Sequence, residues 1–262
     1  MNIVDKYNLL EVNNLSVEIK LKNEIISPIK NISFLIRQNT SNAIIGESGS
    51  GKSILASTLI NLLPINSRIT DGSIHYKGKN ITNKDTNIRG KEISIVYQNP
   101  KASLNPVRKI IHQIAEIIRL HQKTNNKESI KRAKLLLDSL GIKNVDKRSY
   151  EYPHQFSGGM AQRAAIAMAL SCKPSLLIAD EPTSGLDPLL QDQVVNLLVE
   201  KTKEYKSALL MISHDINLVK NTCENVIVMY QGQIIEQGLT SNILTNPKEN
   251  YTKSLVESSL LR

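Results

Sequence analysis

Gly46-Glu47-Ser48-Gly49-Ser50-Gly51-Lys52-Ser53 is the stretch on which the fold turns. It is a complete G-x-x-x-x-G-K-[ST] phosphate loop. Its flanks give the context that the motif needs. Ser41-Asn42-Ala43-Ile44-Ile45 before it reads as a short buried strand. Residues 54–63 after it are apolar and of helical length, and Pro64 marks the helix end. Gly46, Gly49 and Gly51 let the backbone turn tightly and approach a phosphate, with Glu47 and Ser48 completing the cradle. The amides of Gly49, Ser50, Gly51 and Lys52 are expected to form an anion nest at a helix N-terminus. Lys52 is expected to reach the β- and γ-phosphates of a nucleotide, and the Ser53 hydroxyl to bind Mg²⁺.

Further along, Leu176-Leu177-Ile178-Ala179-Asp180-Glu181 is a small, apolar run ending in two carboxylates. It reads as a buried parallel strand whose C-terminal end enters an active site. Asp180 there can hold Mg²⁺ through water, and Glu181, facing differently, can polarise an attacking water. Between loop and strand stands Phe156-Ser157-Gly158-Gly159-Met160, followed by a run rich in alanine. Ser157 is a natural N-cap, and Gly158 and Gly159 leave the first helical amides bare.

The 262 residues suffice for one large or two small domains. The 40% hydrophobic content supports a core, and 4% aromatics with no Trp make that core aliphatic. The formal charge is +9, with basic residues scattered rather than blocked, which admits nucleic acid, anionic lipid or a solvated basic surface. Cys172 and Cys223 give no metal spacing and no disulfide framework, so a reducing compartment fits. No stretch approaches the ~20 apolar residues that span a bilayer. Asp5, Lys6 and Glu11 leave no signal-peptide segment. The chain is therefore expected to be soluble, with any membrane crossing left to other chains.

Alternation at Leu15, Val17, Ile19 and Leu21, then at Ile32, Phe34 and Ile36, predicts strands with one buried face. Residues 71–79 read as a hairpin arm with glycine at its turns. Two helical stripes follow, one through Ile110, Ile111, Ile114, Ala115, Ile117 and Ile118, the other through Ile130, Ala133, Leu136, Leu137 and Leu140. Thr124-Asn125-Asn126 breaks them, and Gly141 is placed to cap the second. Gly232 and Gly238 flank a short strand at residues 233–236, and the last dozen residues read as an amphipathic helix.

Residues 156–163, Phe156-Ser157-Gly158-Gly159-Met160-Ala161-Gln162-Arg163, resemble the signature motif of ABC-type ATPases. The resemblance covers roughly residues 9 to 255. It implies an α/β fold: a phosphate-loop ATPase core with a parallel sheet, an antiparallel β layer and an inserted helical subdomain. The core is expected at 9–98 and 172–245, the helical subdomain at 99–171, and a short tail at 246–262. It also implies that Ser157, Gly158 and Gly159 bind the γ-phosphate of an ATP held by another subunit, so that two chains share each ATP. Gln98, after Ile93-Ser94-Ile95-Val96-Tyr97, resembles the glutamine that senses Mg²⁺ and the attacking water. Ser184-Gly185-Leu186-Asp187 resembles the loop that addresses the opposite site, with Asp187 its acid, and His214 resembles the switch histidine at the γ-phosphate. Many relatives stack adenine on an aromatic side chain before the loop strand. Residues 22–26 offer none, Tyr7 comes early and Phe34 late.

The stretch Gln98-Asn99-Pro100-Lys101-Ala102-Ser103-Leu104-Asn105-Pro106 resembles the glutamine loop of importers for oligopeptides, dipeptides and nickel. Asn246-Pro247-Lys248-Glu249-Asn250-Tyr251-Thr252-Lys253-Ser254-Leu255 resembles the P-x-x-Y-T-x-x-L ending of the same branch. The branch implies ATP and Mg²⁺, a second ATPase subunit or a homodimer, two permease subunits and an extracytoplasmic solute-binding protein. It places the chain on the cytoplasmic face of the cell membrane, with no nucleic acid partner. Met160 resembles the first of the two ATPases. Peptide-type members of that kind carry a cysteine cluster after the Y-T pair. This chain has no cysteine after Cys223, and its shortness resembles nickel-type members. The alternative reading is a soluble ABC ATPase acting on nucleic acid or ribosomes, which the +9 charge permits.

Overall fold

A computed structural model describes residues 8–83 and 87–260. Along the chain come β1 (Asn8–Lys20), β2 (Ile25–Arg37), β3 (Ser41–Ile45), α1 (Lys52–Leu59), β4 (Ser67–Tyr76) and β5 (Lys79–Asn80). Then follow β6 (Ile93–Val96), α2 (Pro100–Ser103), α3 (Ile110–Gln122), α4 (Asn126–Ser139), α5 (Val145–Arg148), α6 (Gly158–Leu170), β7 (Leu176–Asp180) and α7 (Pro188–Tyr205). Last come β8 (Ala208–Ile212), α8 (Ile216–Thr222), β9 (Asn225–Tyr230), β10 (Gln233–Leu239), α9 (Thr240–Thr245) and α10 (Asn250–Leu260). They form two compact units. One is residues 88–207, and the other is the chain on either side of it.

In the outer unit β2, β1, β4 and β5 make an antiparallel layer in that order. Its alternation has the expected cause: Leu15, Val17, Ile29, Ile32 and Ile36 are buried. A register shift between Asn13 and Ser16 bulges β1 against β4. Gly72 answers it from mid-strand with φ +83°, and a Cβ there would lie 2.4 Å from the Asn13 carbonyl oxygen. Gly72, inside β4, thus makes room for the bulge of β1 rather than for the turn the sequence suggested. Beside this layer β3 pairs in parallel with both β8 and β9, and β10 joins β9 antiparallel. Ala43, Ile44 and Ile45 of β3 and Leu210, Met211 and Ile212 of β8 are fully buried, as the continuous apolar runs require.

In the inner unit β6 and β7 pair in parallel, Ile93 opposite Leu176 and Val96 opposite Ala179. α3 buries Ile110, Ile111, Ile114 and Ile118, and α4 buries Ala133, Leu136 and Leu137. Asn125 caps α4 by accepting from the Glu128 amide at 2.9 Å. Gly141, at φ +78°, turns the chain out of it.

β6, β7 and α7 fall in the same unit as the helices, where β6 and β7 pair with each other and α6 packs against β6, α3, α4 and α7. Two elements differ in extent from the expected ones. α1 stops at Leu59, well short of Pro64, because Asn61 turns left-handed at φ 54° and gives its amide to the Thr58 carbonyl. β10 runs on through Gly238 to Leu239.

Cys172 and Cys223 are both free thiols, and burial pushes Cys223 up to about 11 and Cys172 upward. Neither has the depressed titration of a reactive cysteine. Among the described residues no helix is long and apolar enough to cross a membrane.

Candidate active site

The phosphate loop leaves the C-terminal end of β3 in the outer unit. Two of its glycines have no substitute. A Cβ on Gly46 would lie 2.1 Å from the Met229 carbonyl oxygen, and one on Gly51 would lie 2.2 Å from that of Pro28. Gly51 stands just before α1 at φ 103°, and no side chain caps that helix. An open N-terminus of this kind suits an anion. Lys52 is only 6% exposed, and its Nζ donates to the carbonyls of Gly46 (2.8 Å) and Glu47 (2.7 Å) and to Ser50 Oγ (3.3 Å). The ammonium is thereby fixed within the loop. Glu47, Ser48, Gly49 and Ser53 are exposed around it. One expectation needs correction: the Ser50 amide is turned onto the Glu47 carbonyl at 3.2 Å rather than into a nest.

His214 belongs to the same unit. β3 and β8 run side by side with Ile44 opposite Ile212, and the Ser213 amide donates to the Ile44 carbonyl at 3.2 Å. The loop and His214 therefore leave the same end of two neighbouring parallel strands, where ligands of α/β sheets bind. Asp215 caps α8 through the Leu218 amide (3.0 Å) and gives its own amide to Ser213 Oγ (3.0 Å), which shapes the turn that exposes His214.

The inner unit repeats this arrangement with β6 and β7. Gln98 follows the end of β6; Asp180 and Glu181 end β7. Gln98 Nε2 donates to Glu181 Oε2 at 3.0 Å and to Ser184 Oγ at 3.1 Å. Glu181 has φ 45°, a left-handed conformation that costs a residue with a Cβ about 1–2 kcal/mol. Strain of this kind gathers where a side chain must be aimed. Asp180 is 7% exposed. Burial, and then the charge of Asp180, push the neighbouring Tyr97 phenol above its ordinary value.

Ser157 caps α6 by accepting from the Met160 amide at 3.3 Å. Gly158 is exposed at the helix start, while a Cβ on Gly159 would touch Leu190 at 3.5 Å. Gln162, buried to 1% exposure, donates from Nε2 to the Pro182 carbonyl at 2.6 Å, tying the signature helix to the turn after the acids. That role was hidden in the sequence, where Gln162 counted only as a letter of the motif. Asp187 caps α7 through the Leu190 amide at 3.1 Å.

So the inner unit gathers Gln98, Asp180 and Glu181, with Ser157, Gly158 and Gly159 on a helix bonded to the same turn. The outer unit gathers residues 46–53 and His214. Of the two aromatic residues considered for a base, Phe34 is buried in β2, and Tyr7 lies outside the described residues. Among the described residues no group of three or more His, Cys, Asp or Glu could cage a metal. Mg²⁺ does not need one, since it is commonly held by one or two protein oxygens together with waters and substrate phosphates. The hydroxyl, amide and carboxylate oxygens of Ser53, Gln98 and Asp180 are the donor types it takes.

The family model described as ABC transporter matches residues 29–184. The oligopeptide transport ATP-binding protein AppD of Bacillus subtilis is 41% identical over 255 residues, 95% of this chain and 78% of that protein. The oligopeptide transport ATP-binding protein OppD of Haemophilus influenzae is 39% identical over 254 residues, with the same coverage. Among solved structures, a dimeric ATP-binding cassette in a post-hydrolysis state bound to ADP and Pi superposes with a TM-score of 0.79. It is 26% identical, over 88% of this chain and 99% of that one. A phosphate loop, an acid-tipped strand and a serine-capped helix, in a chain matched this far by model, relatives and cassette, mean that it belongs to the ABC transporter family as one of its ATPases.

Proposed function

We propose that this chain powers the import of peptides, hydrolysing ATP on the cytoplasmic face of a membrane for separate permease subunits that do the spanning. The observation that carries the hydrolytic part is Glu181, held in a left-handed turn with its carboxylate bonded to Gln98. A carboxylate so aimed can orient and polarise a water, and phosphoryl transfer asks little more of a protein than positioning and charge.

The roles follow from that placement. Lys52 and the amides of Gly49, Gly51 and Lys52 grip the β- and γ-phosphates, with the rest of the loop from Gly46 to Ser53 shaping the cradle. His214 contacts the γ-phosphate. Ser157, Gly158 and Gly159 offer a helix N-terminus to the ATP of a second ATPase subunit, either a homologue or a second copy. Asp187 addresses the opposite site from the loop before α7. Mg²⁺, when bound, neutralises the charge of the phosphate oxygens, and Ser53, Gln98 and Asp180 are the residues assigned to it.

Peptides are favoured over nickel because the relatives named above are oligopeptide transport proteins. A dipeptide transport ATP-binding protein of Lactococcus lactis, 40% identical, points the same way. An extracytoplasmic solute-binding protein would choose the cargo, and the ATPase itself would not touch it. The test is ATP turnover and labelled-peptide uptake by the assembled importer, with nickel uptake in parallel. Glu181→Gln should bind ATP yet stop both turnover and uptake. Wild-type turnover in that variant would refute the assignment of the base, and nickel uptake without peptide uptake would refute the cargo.

A further inference from the structure

Tyr251 stands 204 residues from Glu47 in sequence, yet its phenol oxygen accepts the Glu47 amide at 2.9 Å. Glu47 is the second residue of the phosphate loop. Lys52 Nζ donates to its carbonyl at 2.7 Å and to that of Gly46, which shares a peptide plane with the Glu47 amide, at 2.8 Å. The Gly46–Glu47 peptide is thus fixed on both sides, by Lys52 from within and by a tyrosine of α10 from outside.

α10 is itself anchored. Glu236 of β10 accepts the amides of Lys248 (3.0 Å) and Glu249 (3.3 Å), immediately before the helix begins. A carboxylate there satisfies amides at the helix start and complements the helix dipole. The Tyr251 ring lies on Tyr230, with centroids 4.3 Å apart. Tyr230 ends β9, and the turn after it gives the Gly232 amide to the Ser50 carbonyl of the loop at 3.1 Å. The loop is therefore braced by the β9–β10 turn and by the helix docked over that turn. Tyr251 is the side chain that joins the two braces.

We infer that Tyr251 is a positioning residue for the phosphate loop, through which the docked helix α10 sets the affinity for ATP. The inference rests on the reading of residues 46–53 as the cradle for the triphosphate. Without the phenol oxygen the Gly46–Glu47 peptide is free to turn, and the Gly46 carbonyl, which holds Lys52 Nζ at 2.8 Å, turns with it. The consequence falls on ground-state binding rather than on the water-activating acid in the other unit.

The experiment compares the full chain with Tyr251→Phe, which keeps the ring on Tyr230 and removes only the oxygen. The loss of one such hydrogen bond should weaken ATP binding, and raise KM, about fivefold while leaving kcat within about twofold. Glu236→Gln should move KM in the same direction by loosening the helix. Lys52→Ala is the control that reports on the cradle. If Lys52→Ala loses ATP while Tyr251→Phe binds it as tightly as wild type, the inference fails and the reading of the loop stands. A Tyr251→Phe protein that melts earlier but keeps wild-type affinity also overturns it, since the contact is then only structural. If wild type and Lys52→Ala bind ATP equally, the reading of the loop fails and takes the inference with it.

Discussion

Lys52 is a charged side chain buried among carbonyl oxygens, an arrangement worth its desolvation cost only if an anion arrives beside it. Lys52→Ala should therefore lower ATP affinity by more than about tenfold while leaving the fold intact, as equilibrium binding and circular dichroism would show. Gly51→Ala is the opposite case. Its φ of 103° and the Pro28 carbonyl 2.2 Å from the added methyl group leave no room for a Cβ. The loop must shift, so both ATP affinity and melting temperature should fall, and a variant with neither change would contradict the packing described. For Glu181→Gln, loss of a positioned base should slow turnover by about 10²–10⁴-fold in a steady-state assay. These three residues differ in what sequence could say of them. Lys52 and Gly51 were fixed by the motif, because the backbone path of a phosphate loop is local. The left-handed turn of Glu181 and its bond to Gln98 join residues far apart in the chain, and no local pattern carries them.

Among the elements, α6 and α10 depend on caps. Ser157→Ala removes the oxygen that accepts from Met160, which should cost about 1 kcal/mol and lower the melting temperature by about 2–4 °C. Ser157→Asp should keep the cap, restoring stability while placing a negative charge where the γ-phosphate is proposed to bind. Thermal unfolding and ATPase assays on the pair separate capping from anion binding. α10 is held by a carboxylate. Burial pushes Glu236 upward, but the amides of Lys248 and Glu249 outweigh it, and the group titrates below its ordinary value. A depressed carboxyl stabilises the fold above its unfolded value, and that contribution is lost as pH falls through the lower folded one. Hydrogen exchange in α10 should therefore quicken as pH falls below the ordinary glutamate range, after correction for the intrinsic exchange rate. Glu236→Gln should show that quickening already at neutral pH and little further change on acidification. Helix α10 itself was legible from its amphipathic pattern, whereas its anchor on β10 was not, since nothing in the local sequence says which carboxylate the helix start will meet.

For the whole molecule, the +9 charge is the feature that most invites a different reading. Binding to DNA or RNA should be weak and should vanish by about 200 mM salt, as expected for scattered basic residues without a built groove. Tight, salt-resistant binding would favour the nucleic-acid reading over transport. The sequence by itself determined the phosphate loop, the acid-tipped strand, the serine-capped helix and the alternation of strands, because each depends on residues close together in the chain and on periodicities of two or 3.6 residues. It also placed the chain among transport ATPases, since the spacing of those motifs is a linear property. Tertiary structure alone decided that β6 and β7 group with the helices, that Gly72 serves a bulge, that Gln162 ties the signature helix to the turn after the acids, and that Tyr251 reaches Glu47. Each of these is a meeting of distant residues, fixed by which buried faces pack together, and a local pattern shows that a face is apolar without naming what will cover it.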